Sequence, residues 1–207
     1  MTLLWKEALS DKKYRLQAVL TVIVLAGVLW SLTNFLNFIE NRQGIILADP
    51  LLSHFKPLNL TWLIFGLIYL SLITALFELA KYPKQLMFIL QAYSLLVVIR
   101  MAAMYIIPLN PPPDMIPLND PFVEYFGTGR LLTKDLFFSG HTATLFLLFL
   151  TVQSKKLKIL FLTCTIALGL SVLLQHVHYS IDVLAAPFFT YTCFHIILFF
   201  HKKQPLF

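Results

Sequence analysis

Residues 135–152 read DLFFSGHTATLFLLFLTV and join a short polar motif to an unbroken apolar run. The stretch is close to the roughly 20 residues that a helix needs to cross the hydrocarbon core of a bilayer. It therefore predicts a membrane-spanning helix whose first residues are polar. Polar and ionisable residues are costly at such a place, so their presence suggests a functional role.

The composition of the whole chain also indicates a membrane protein. Of its 207 residues, 58% are hydrophobic and 13% are charged, and the mean hydropathy is +0.78. A soluble domain would carry about 25% charged residues. We therefore expect an all-α integral membrane protein, a bundle of six transmembrane helices. The predicted spans are residues 18–39, 60–79, 85–109, 135–152, 157–175 and 180–200.

Residues 1–207 are predicted to form a single membrane-embedded domain. The first apolar run is too long for a signal-peptide core and no small-residue cleavage motif closes it, so we expect it to be retained. Residues 110–134 form a proline-rich connection, because their prolines exclude a helix interior. Small residues in the last two spans, Gly169, Ala185 and Ala186, would let helices approach closely.

The distribution of Lys and Arg predicts the orientation of the chain. If the N-terminus is cytoplasmic, eleven basic residues lie on the cytoplasmic side and five on the other. The cytoplasmic set is Lys6, Lys12, Lys13, Arg15, Lys81, Lys84, Lys155, Lys156, Lys158, Lys202 and Lys203, and the other set is Arg42, Lys56, Arg100, Arg130 and Lys134. Both termini should then be cytoplasmic, and the polar starts of spans four and six should meet on the extracytoplasmic face. The net charge of +6 is explained by this topology rather than by nucleic-acid binding, since the basic residues form short clusters between apolar runs.

A second polar motif, His178-Tyr179-Ser180-Ile181-Asp182, stands at the start of span six. If the helix continues through it, residues 178 and 182 share one face, and the carboxylate can accept a hydrogen bond from one ring nitrogen. The other nitrogen is then able to attack, so His178 is the candidate nucleophile and Asp182 the group that orients it. The alternative is a plain helix start, with Asp182 favoured by the helix dipole and His178 at the membrane interface.

His141 follows Ser139 and Gly140 at the start of span four and is the candidate general acid. Gly140 lets the chain turn sharply into the helix and lets a substrate approach closely. Ser139 and Thr142 would offer hydroxyl or backbone donors to a bound anion, together with the N–H groups at the helix start. An interfacial histidine is the alternative for His141, and a simple N-cap is the alternative for Ser139.

Arg100 lies inside the third apolar run, where an arginine is costly unless it pairs or snorkels. Its guanidinium suits phosphate oxygens, and phosphoryl transfer needs such a cation near the nucleophile. Snorkelling is the alternative, because the run continues for about two turns before Pro108. Asp135, just before span four, would contact a head group or remain a solvated loop residue.

No metal or other cofactor is expected. The histidine motifs lack a dense set of carboxylates, and His178 already has Asp182 as its partner. Cys164 and Cys193 both lie in apolar segments, so they are predicted to be packing residues rather than a disulfide.

Taken together, these motifs resemble the type-2 phosphatidic acid phosphatase superfamily of lipid phosphatases and phosphotransferases, and within it the sphingomyelin synthase branch. That branch has an Arg followed by Tyr and Pro at the end of the third span, then Asp with F/Y-S-G-H-T, then H-Y-[ST]-x-D-V. The matching residues here are Arg100, Tyr105 and Pro108, then Asp135 with 138–142, then 178–183. The resemblance covers about the last half of the chain, and its six spans agree with the spans predicted above.

The resemblance implies transfer of a phospho-head group, such as phosphocholine or phosphoethanolamine, from a phospholipid to a ceramide or diacylglycerol acceptor. His178 would attack phosphorus to give a phosphohistidine, and Asp182 would hold His178 throughout. His141 would protonate the departing diacylglycerol oxygen and later deprotonate the acceptor hydroxyl. The same resemblance suggests that Asp135 and Tyr179 contact the substrate.

The chain departs from the family at two places that bear on the substrate. The lipid phosphatases carry K-x6-R-P and S-R-x5-H motifs, whereas this chain lacks the first and has Ser171-Val172 in place of Ser-Arg. The synthases often have Cys-Gly before the aspartate, where this chain has Thr133-Lys134.

Two other functions compete with the transferase. If water completes the second half of the reaction, the protein is a lipid phosphate phosphatase or a phospholipase C-like hydrolase. In the third interpretation the protein is a non-catalytic lipid-binding or transport protein that uses the same residues only to hold a head group. Transporters often show inverted repeats and matched broken helices, and the sequence displays neither.

Overall fold

A computed structural model describes the chain over residues 3–118 and 132–201. In these ranges there are seven α-helices, a short 3₁₀ turn at Leu52–His54, and no β-strand beyond a single bridge between Ile45 and Leu109. The helices are α1 (Leu3–Ser10), α2 (Lys12–Glu40), α3 (Thr61–Leu79), α4 (Pro83–Ile106), α5 (Gly140–Thr151), α6 (Lys155–Leu174) and α7 (Ser180–His201). The all-α prediction is confirmed for this part of the chain. Three basic residues used in the topology prediction, Arg130, Lys202 and Lys203, lie outside the described residues.

Five helices in the described ranges are long and apolar enough to cross a membrane, namely α2, α3, α4, α6 and α7. The fourth predicted span is shorter than expected: α5 has 12 residues, or about 18 Å at 1.5 Å per residue. The prediction of six full-length spans is therefore corrected to five long helices and one short one over the described residues. The cause is local, because the chain from residue 135 to residue 139 approaches the bundle without forming a helix.

Other helix ends shift where capping groups, rather than apolar residues, set the boundary. α2 begins at Lys12, ahead of the predicted residue 18, because the Asp11 side chain accepts a hydrogen bond from Lys13 N at 2.8 Å. α4 ends at Ile106 rather than at residue 109, because Pro108 disfavours a helical conformation in the residue before it. The short helix α1 lies before the first predicted span and was not predicted.

α5 lies at the centre of the bundle. It contacts α3, α4, α6 and α7, and its Ala143, Leu145 and Leu147 side chains are buried. α2 instead packs mainly against α4 and leaves much of its apolar surface exposed, as expected for a helix that faces lipid. The packing of α5 against these four helices thus fixes the position of the short polar motif that precedes it.

Small residues bring α6 close to its neighbours, as the sequence predicts. A Cβ built on Gly169 would lie 3.0 Å from Val183 Cγ1 of α7 and 3.9 Å from the Thr142 side chain of α5. Ala186 of α7 is fully buried. The close contact sets the starts of α5 and α7 side by side.

The ends of α2 and α4 and the starts of α5 and α7 meet at one end of the bundle, here called the site end. Residues 41–60 and 107–118 cross this end as irregular chain, apart from the 3₁₀ turn at Leu52–His54. The two segments are joined where Ile45 N donates to Pro108 O at 3.0 Å and Asn110 N donates to Ile45 O at 2.9 Å.

Candidate active site

Three parts of the chain converge at the site end: the last part of α4, the approach to α5, and the turn between α6 and α7. Arg100 Nε donates a hydrogen bond to Phe138 O at 2.8 Å. Ser139 N donates to Asp182 O at 3.1 Å. The arginine and the two polar motifs singled out in the sequence are therefore neighbours in space.

His178 and Asp182 form a buried pair. His178 Nδ1 lies 3.1 Å from Asp182 Oδ2, and the two side chains are 3% and 0% exposed. The same carboxylate oxygen accepts a hydrogen bond from Tyr179 N at 3.2 Å. With the proton on Nδ1 donated to the carboxylate, Nε2 is the ring nitrogen that Asp182 does not engage.

The pairing does not arise from a continuous helix, as the sequence analysis assumed. α7 begins two residues after His178, which lies in the turn that precedes it. That turn follows a Schellman motif at the end of α6, in which Val177 N donates to Val172 O and His176 N donates to Leu173 O, each at 2.9 Å. His176 has the left-handed φ of 57° that the motif requires. The end of α6 therefore places the candidate nucleophile.

Gln175, the C-cap residue of α6, ties this turn to two other segments. Its buried side chain accepts a hydrogen bond from Leu60 N at 2.8 Å and donates to Thr61 Oγ1 at 2.9 Å and Ile116 O at 3.1 Å. The sequence analysis missed this residue, because one glutamine between helices gives no sign that it will be buried. The one sequence feature that points to a role for Gln175 is its position beside the histidine motif.

Ser139 caps α5. Its Oγ accepts hydrogen bonds from Thr142 N at 3.4 Å and from Thr142 Oγ1 at 3.0 Å, and both residues are buried. Ser139 is therefore the N-cap of α5 in this structure, and its role in binding an anion stays a prediction. Thr142 Oγ1 gives its proton to Ser139, so the donors that this helix start can offer to an anion are its backbone N–H groups and the Ser139 hydroxyl.

Arg100 does not snorkel to the surface, because its side chain is 8% exposed. Its Nη2 forms an ion pair with Asp135 Oδ1 at 2.7 Å and a hydrogen bond to Asp135 O at 3.3 Å. A Cβ built on Gly140 would lie 3.0 Å from Arg100 Cζ. The guanidinium thus lies against the first residue of α5, and the missing side chain of Gly140 makes the room for it.

A groove of about 480 Å³ opens beside Arg100. Arg100, Asp135, Gly140 and His141 line its polar end, and mostly apolar side chains of α3, α4 and α5 line the rest. α4 borders the groove from residue 86 to residue 100, a distance of about 21 Å along the helix. His141 lines this groove, whereas His178 is buried and is not among its lining residues.

Tyr179 is held inside the protein rather than at the groove. Its side chain is 1% exposed, and its hydroxyl donates to Asn110 O at 2.9 Å and accepts from Leu47 N at 3.3 Å. Burial raises the pKa of this phenol, so it remains a hydrogen-bond donor. In this structure Tyr179 joins the loops of the site end, and a contact with substrate stays a prediction.

Two carboxylates that the sequence analysis did not single out lie behind the site. Glu40 accepts hydrogen bonds from Thr133 and Lys134, which directly precede Asp135. Asp49 accepts hydrogen bonds from Ser180, the first residue of α7. Thr133 lies 93 residues after Glu40, and Ser180 lies 131 residues after Asp49. No local sequence pattern therefore reveals these contacts.

The ionisable side chains of the predicted site include Arg100, His141 and the His178–Asp182 pair. Across residues 3–118 and 132–201, no group of three His, Cys, Asp or Glu side chains could hold a metal ion. Cys164 and Cys193 are free thiols within helices, as expected.

A family model described as PAP2 superfamily C-terminal matches residues 134–199. The matched part, about a third of the chain, runs from the approach to α5 through most of α7 and includes His141, His178 and Asp182. No curated protein and no solved structure matches the chain. Members of the superfamily act on lipid phosphates as phosphoesterases and phosphotransferases. The match supports the PAP2 superfamily as the family of this chain.

Proposed function

We propose that the protein is a membrane phosphotransferase that moves a phospho-head group, such as phosphocholine or phosphoethanolamine, from a phospholipid to a ceramide or diacylglycerol acceptor. One observation carries the proposal. The buried His178–Asp182 pair is joined to the start of α5 through the hydrogen bond from Ser139 N to Asp182 O, and Arg100 and His141 line the polar end of an apolar groove at the same helix start. A nucleophile, a phosphate-binding cation and an apolar surface are what the transfer of a lipid phosphate ester requires.

In the first half of the reaction, His178 Nε2 attacks phosphorus and forms an N–P bond. The P–O bond to the diacylglycerol oxygen breaks, and His141 gives that oxygen a proton. Asp182 accepts the Nδ1 proton of His178 in a hydrogen bond and stabilises the positive charge on the ring. Because Asp182 is completely buried, its charge is little screened by water.

In the second half, neutral His141 takes the proton of an acceptor hydroxyl, and the acceptor oxygen attacks phosphorus. The N–P bond breaks and its electron pair returns to His178. Each histidine thus ends in the state in which it began. His141 serves as the acid in the first half and as the base in the second. This follows from microscopic reversibility, because the second half is chemically the reverse of the first with a different alcohol.

Arg100 and the start of α5 would stabilise charge on the phosphoryl oxygens. The guanidinium lies against Gly140, the first residue of α5. The backbone N–H groups of the first turn of α5 point out of the helix at the same end. Asp135 holds the guanidinium in place through the ion pair at 2.7 Å. Donors that are fixed before the substrate binds need no rearrangement during the reaction.

The apolar lining of the groove favours a lipid as the substrate. Its apolar part is bordered by α3, α4 and α5 from the polar end to Leu79 and Leu86 near the turn between α3 and α4. An acyl chain lying there would keep its apolar surface away from water while its phosphate remains beside Arg100.

Hydrolysis is the second candidate function, and one observation favours it. His141 lines the groove and is only partly buried. Water that enters the groove could then replace the lipid acceptor, since transfer depends on keeping water away from the phosphohistidine.

The test uses purified protein in detergent with phosphatidylcholine or phosphatidylethanolamine that carries a labelled head group. Ceramide or diacylglycerol is either present or absent, and label is followed in the lipid and the water-soluble fractions. We expect label on the acceptor from the wild-type protein and loss of product by at least about a thousandfold in His178→Ala, since the nucleophile is removed. His195→Ala is the matched control, because His195 is exposed on α7 and should leave turnover unchanged.

The outcomes separate the candidate functions. Label released only into water, and lost in His178→Ala, would establish the hydrolase instead of the transferase. Binding of the labelled lipid without any product, weakened only in degree by His178→Ala, would contradict both enzymes and favour a non-catalytic lipid-binding or transport protein.

A further inference from the structure

Residues 40–49, here called the strap, run from the last residue of α2 across the site end. Both ends of the strap carry an acidic residue, Glu40 and Asp49. Each carboxylate accepts hydrogen bonds from a part of the chain that immediately adjoins the candidate active site. The strap therefore spans the distance between the Arg100 side and the His178 side of the site.

Glu40 holds the segment that leads to Asp135. Its Oε2 accepts from Thr133 N and Lys134 N, each at 3.0 Å, and its Oε1 accepts from Thr133 Oγ1 at 2.6 Å. The next residue, Asp135, forms the ion pair with Arg100. Glu40 thus fixes the backbone from which the partner of the arginine projects.

Arg42, near the start of the strap, is bonded to α4. Arg42 Nη1 donates to Tyr105 O at 2.6 Å, and the guanidinium carbon lies 5.0 Å from the centre of the Tyr105 ring. Lys134 Nζ donates to Arg42 O at 2.7 Å. Tyr105 is in the last turn of α4, so the strap holds both the helix that carries Arg100 and the segment before Asp135.

Asp49 holds the start of α7. Its Oδ2 accepts from Ser180 N at 2.6 Å and its Oδ1 from Ser180 Oγ at 3.0 Å. Burial raises the pKa of Asp49, but the hydrogen bonds from Ser180, Leu52 and Leu51 outweigh it and bring the pKa below its usual value. Asp49 therefore accepts these bonds as a carboxylate at neutral pH, and its partner Ser180 stands two residues before Asp182.

We propose that the strap is the positioning element of the site, in which Glu40 places the Arg100–Asp135 pair and Asp49 places the His178–Asp182 pair. The inference rests on the proposed function. Neither carboxylate is assigned a contact with substrate, and each acts through the backbone to which it is bonded. A displacement of about 1 Å in such a constellation lowers a rate by roughly a hundredfold, so hydrogen bonds behind the site control its activity.

The kinetic test compares Glu40→Gln and Asp49→Asn, which keep the size of the side chain, remove its charge and replace one of its two acceptor oxygens by an NH₂ donor. Asp49→Asn should lower kcat about tenfold or more with KM within about threefold, because it loosens the nucleophile side. Glu40→Gln should raise KM about tenfold with a smaller change in kcat, because it loosens the phosphate-binding side. Gln43→Ala is the matched control, since Gln43 lies within the strap and is exposed.

A second measurement is independent of activity. In Asp49→Asn, backbone hydrogen exchange should become faster in residues 178–184 and stay unchanged in residues 132–136. In Glu40→Gln it should become faster in residues 132–136 and stay unchanged in residues 178–184. This crossed pattern supports the proposal even if the lipid assay identifies no substrate.

Two outcomes would overturn the inference. In one, the wild-type protein turns over lipid and both variants behave like Gln43→Ala. In the other, both variants raise exchange throughout the bundle, which would make the strap a part of general stability rather than a positioning element. An inactive wild type that still gives the crossed exchange pattern would count against the proposed function and not against the strap.

Discussion

Gly140 illustrates how much of the site depends on a single atom. The position has no side chain, and a Cβ there would lie 3.0 Å from Arg100 Cζ and 3.2 Å from Nε and Nη1. The ion pair with Asp135 and the hydrogen bond to Phe138 O restrict how far the guanidinium can yield. The glycine that the sequence suggested for substrate approach thus has a second use, which is to make room for the arginine.

Gly140→Ala should therefore displace Arg100 by a few tenths of an ångström and raise the KM for phospholipid about tenfold. Stability should not fall, because alanine is the better helix former. Lipid turnover and thermal unfolding, measured on the same preparation, check both parts. Gly66→Ala is the control, since a Cβ at Gly66 meets nothing within 4 Å. Unchanged KM would show that Arg100 has no part in phosphate binding.

At the scale of elements, the short helix α5 and the tight contact of α6 arrange the site. α5 has 12 residues, and the preceding residues lie as non-helical chain against Arg100 and Asp182. Irregular backbone of this kind is tolerated at membrane depth where the protein itself satisfies its polar groups. Ser139 does so here through its N–H and its capping hydroxyl.

The contact between α6 and α7 gives a prediction for Gly169. Gly169→Leu would force α6 away from Val183, whose γ-carbon already lies 3.0 Å from a built Cβ. We expect a loss of about 2 kcal/mol or more, as for other overpacked contacts, and a lower melting temperature in detergent. Gly27→Leu is the matched control, because nothing lies within 4 Å of a Cβ on α2 there. Equal melting temperatures for both variants would contradict the close contact.

At the scale of the whole molecule, the orientation in the membrane decides which side holds the site end. The Lys and Arg distribution predicts cytoplasmic termini and an extracytoplasmic site. In a chain with Cys164 and Cys193 replaced by alanine, a membrane-impermeant maleimide should label Gln43→Cys from the extracytoplasmic side of sealed vesicles. Lys156→Cys, in the first turn of α6, should react only after permeabilisation. The reverse pattern would invert the orientation and place the active site in the cytoplasm.

The sequence alone determined the features that depend on neighbouring residues. Runs of apolar residues predicted the helices and the membrane, since hydrophobic burial is encoded by composition over about twenty positions. The histidine and aspartate motifs were recognisable because their members stand within a few residues of one another. Their spacing predicted the His178–Asp182 contact, although a turn rather than a helix makes it.

Only the tertiary structure decided how these parts are joined. That Arg100 pairs with Asp135 and that Tyr179 is buried both follow from contacts between distant segments. The roles of Glu40 and Asp49 are the clearest case, because their hydrogen bonds reach Thr133 and Ser180 across 93 and 131 residues. A carboxylate in a loop looks like a solvated group in the sequence, and its function appears only when folding brings a backbone donor to it.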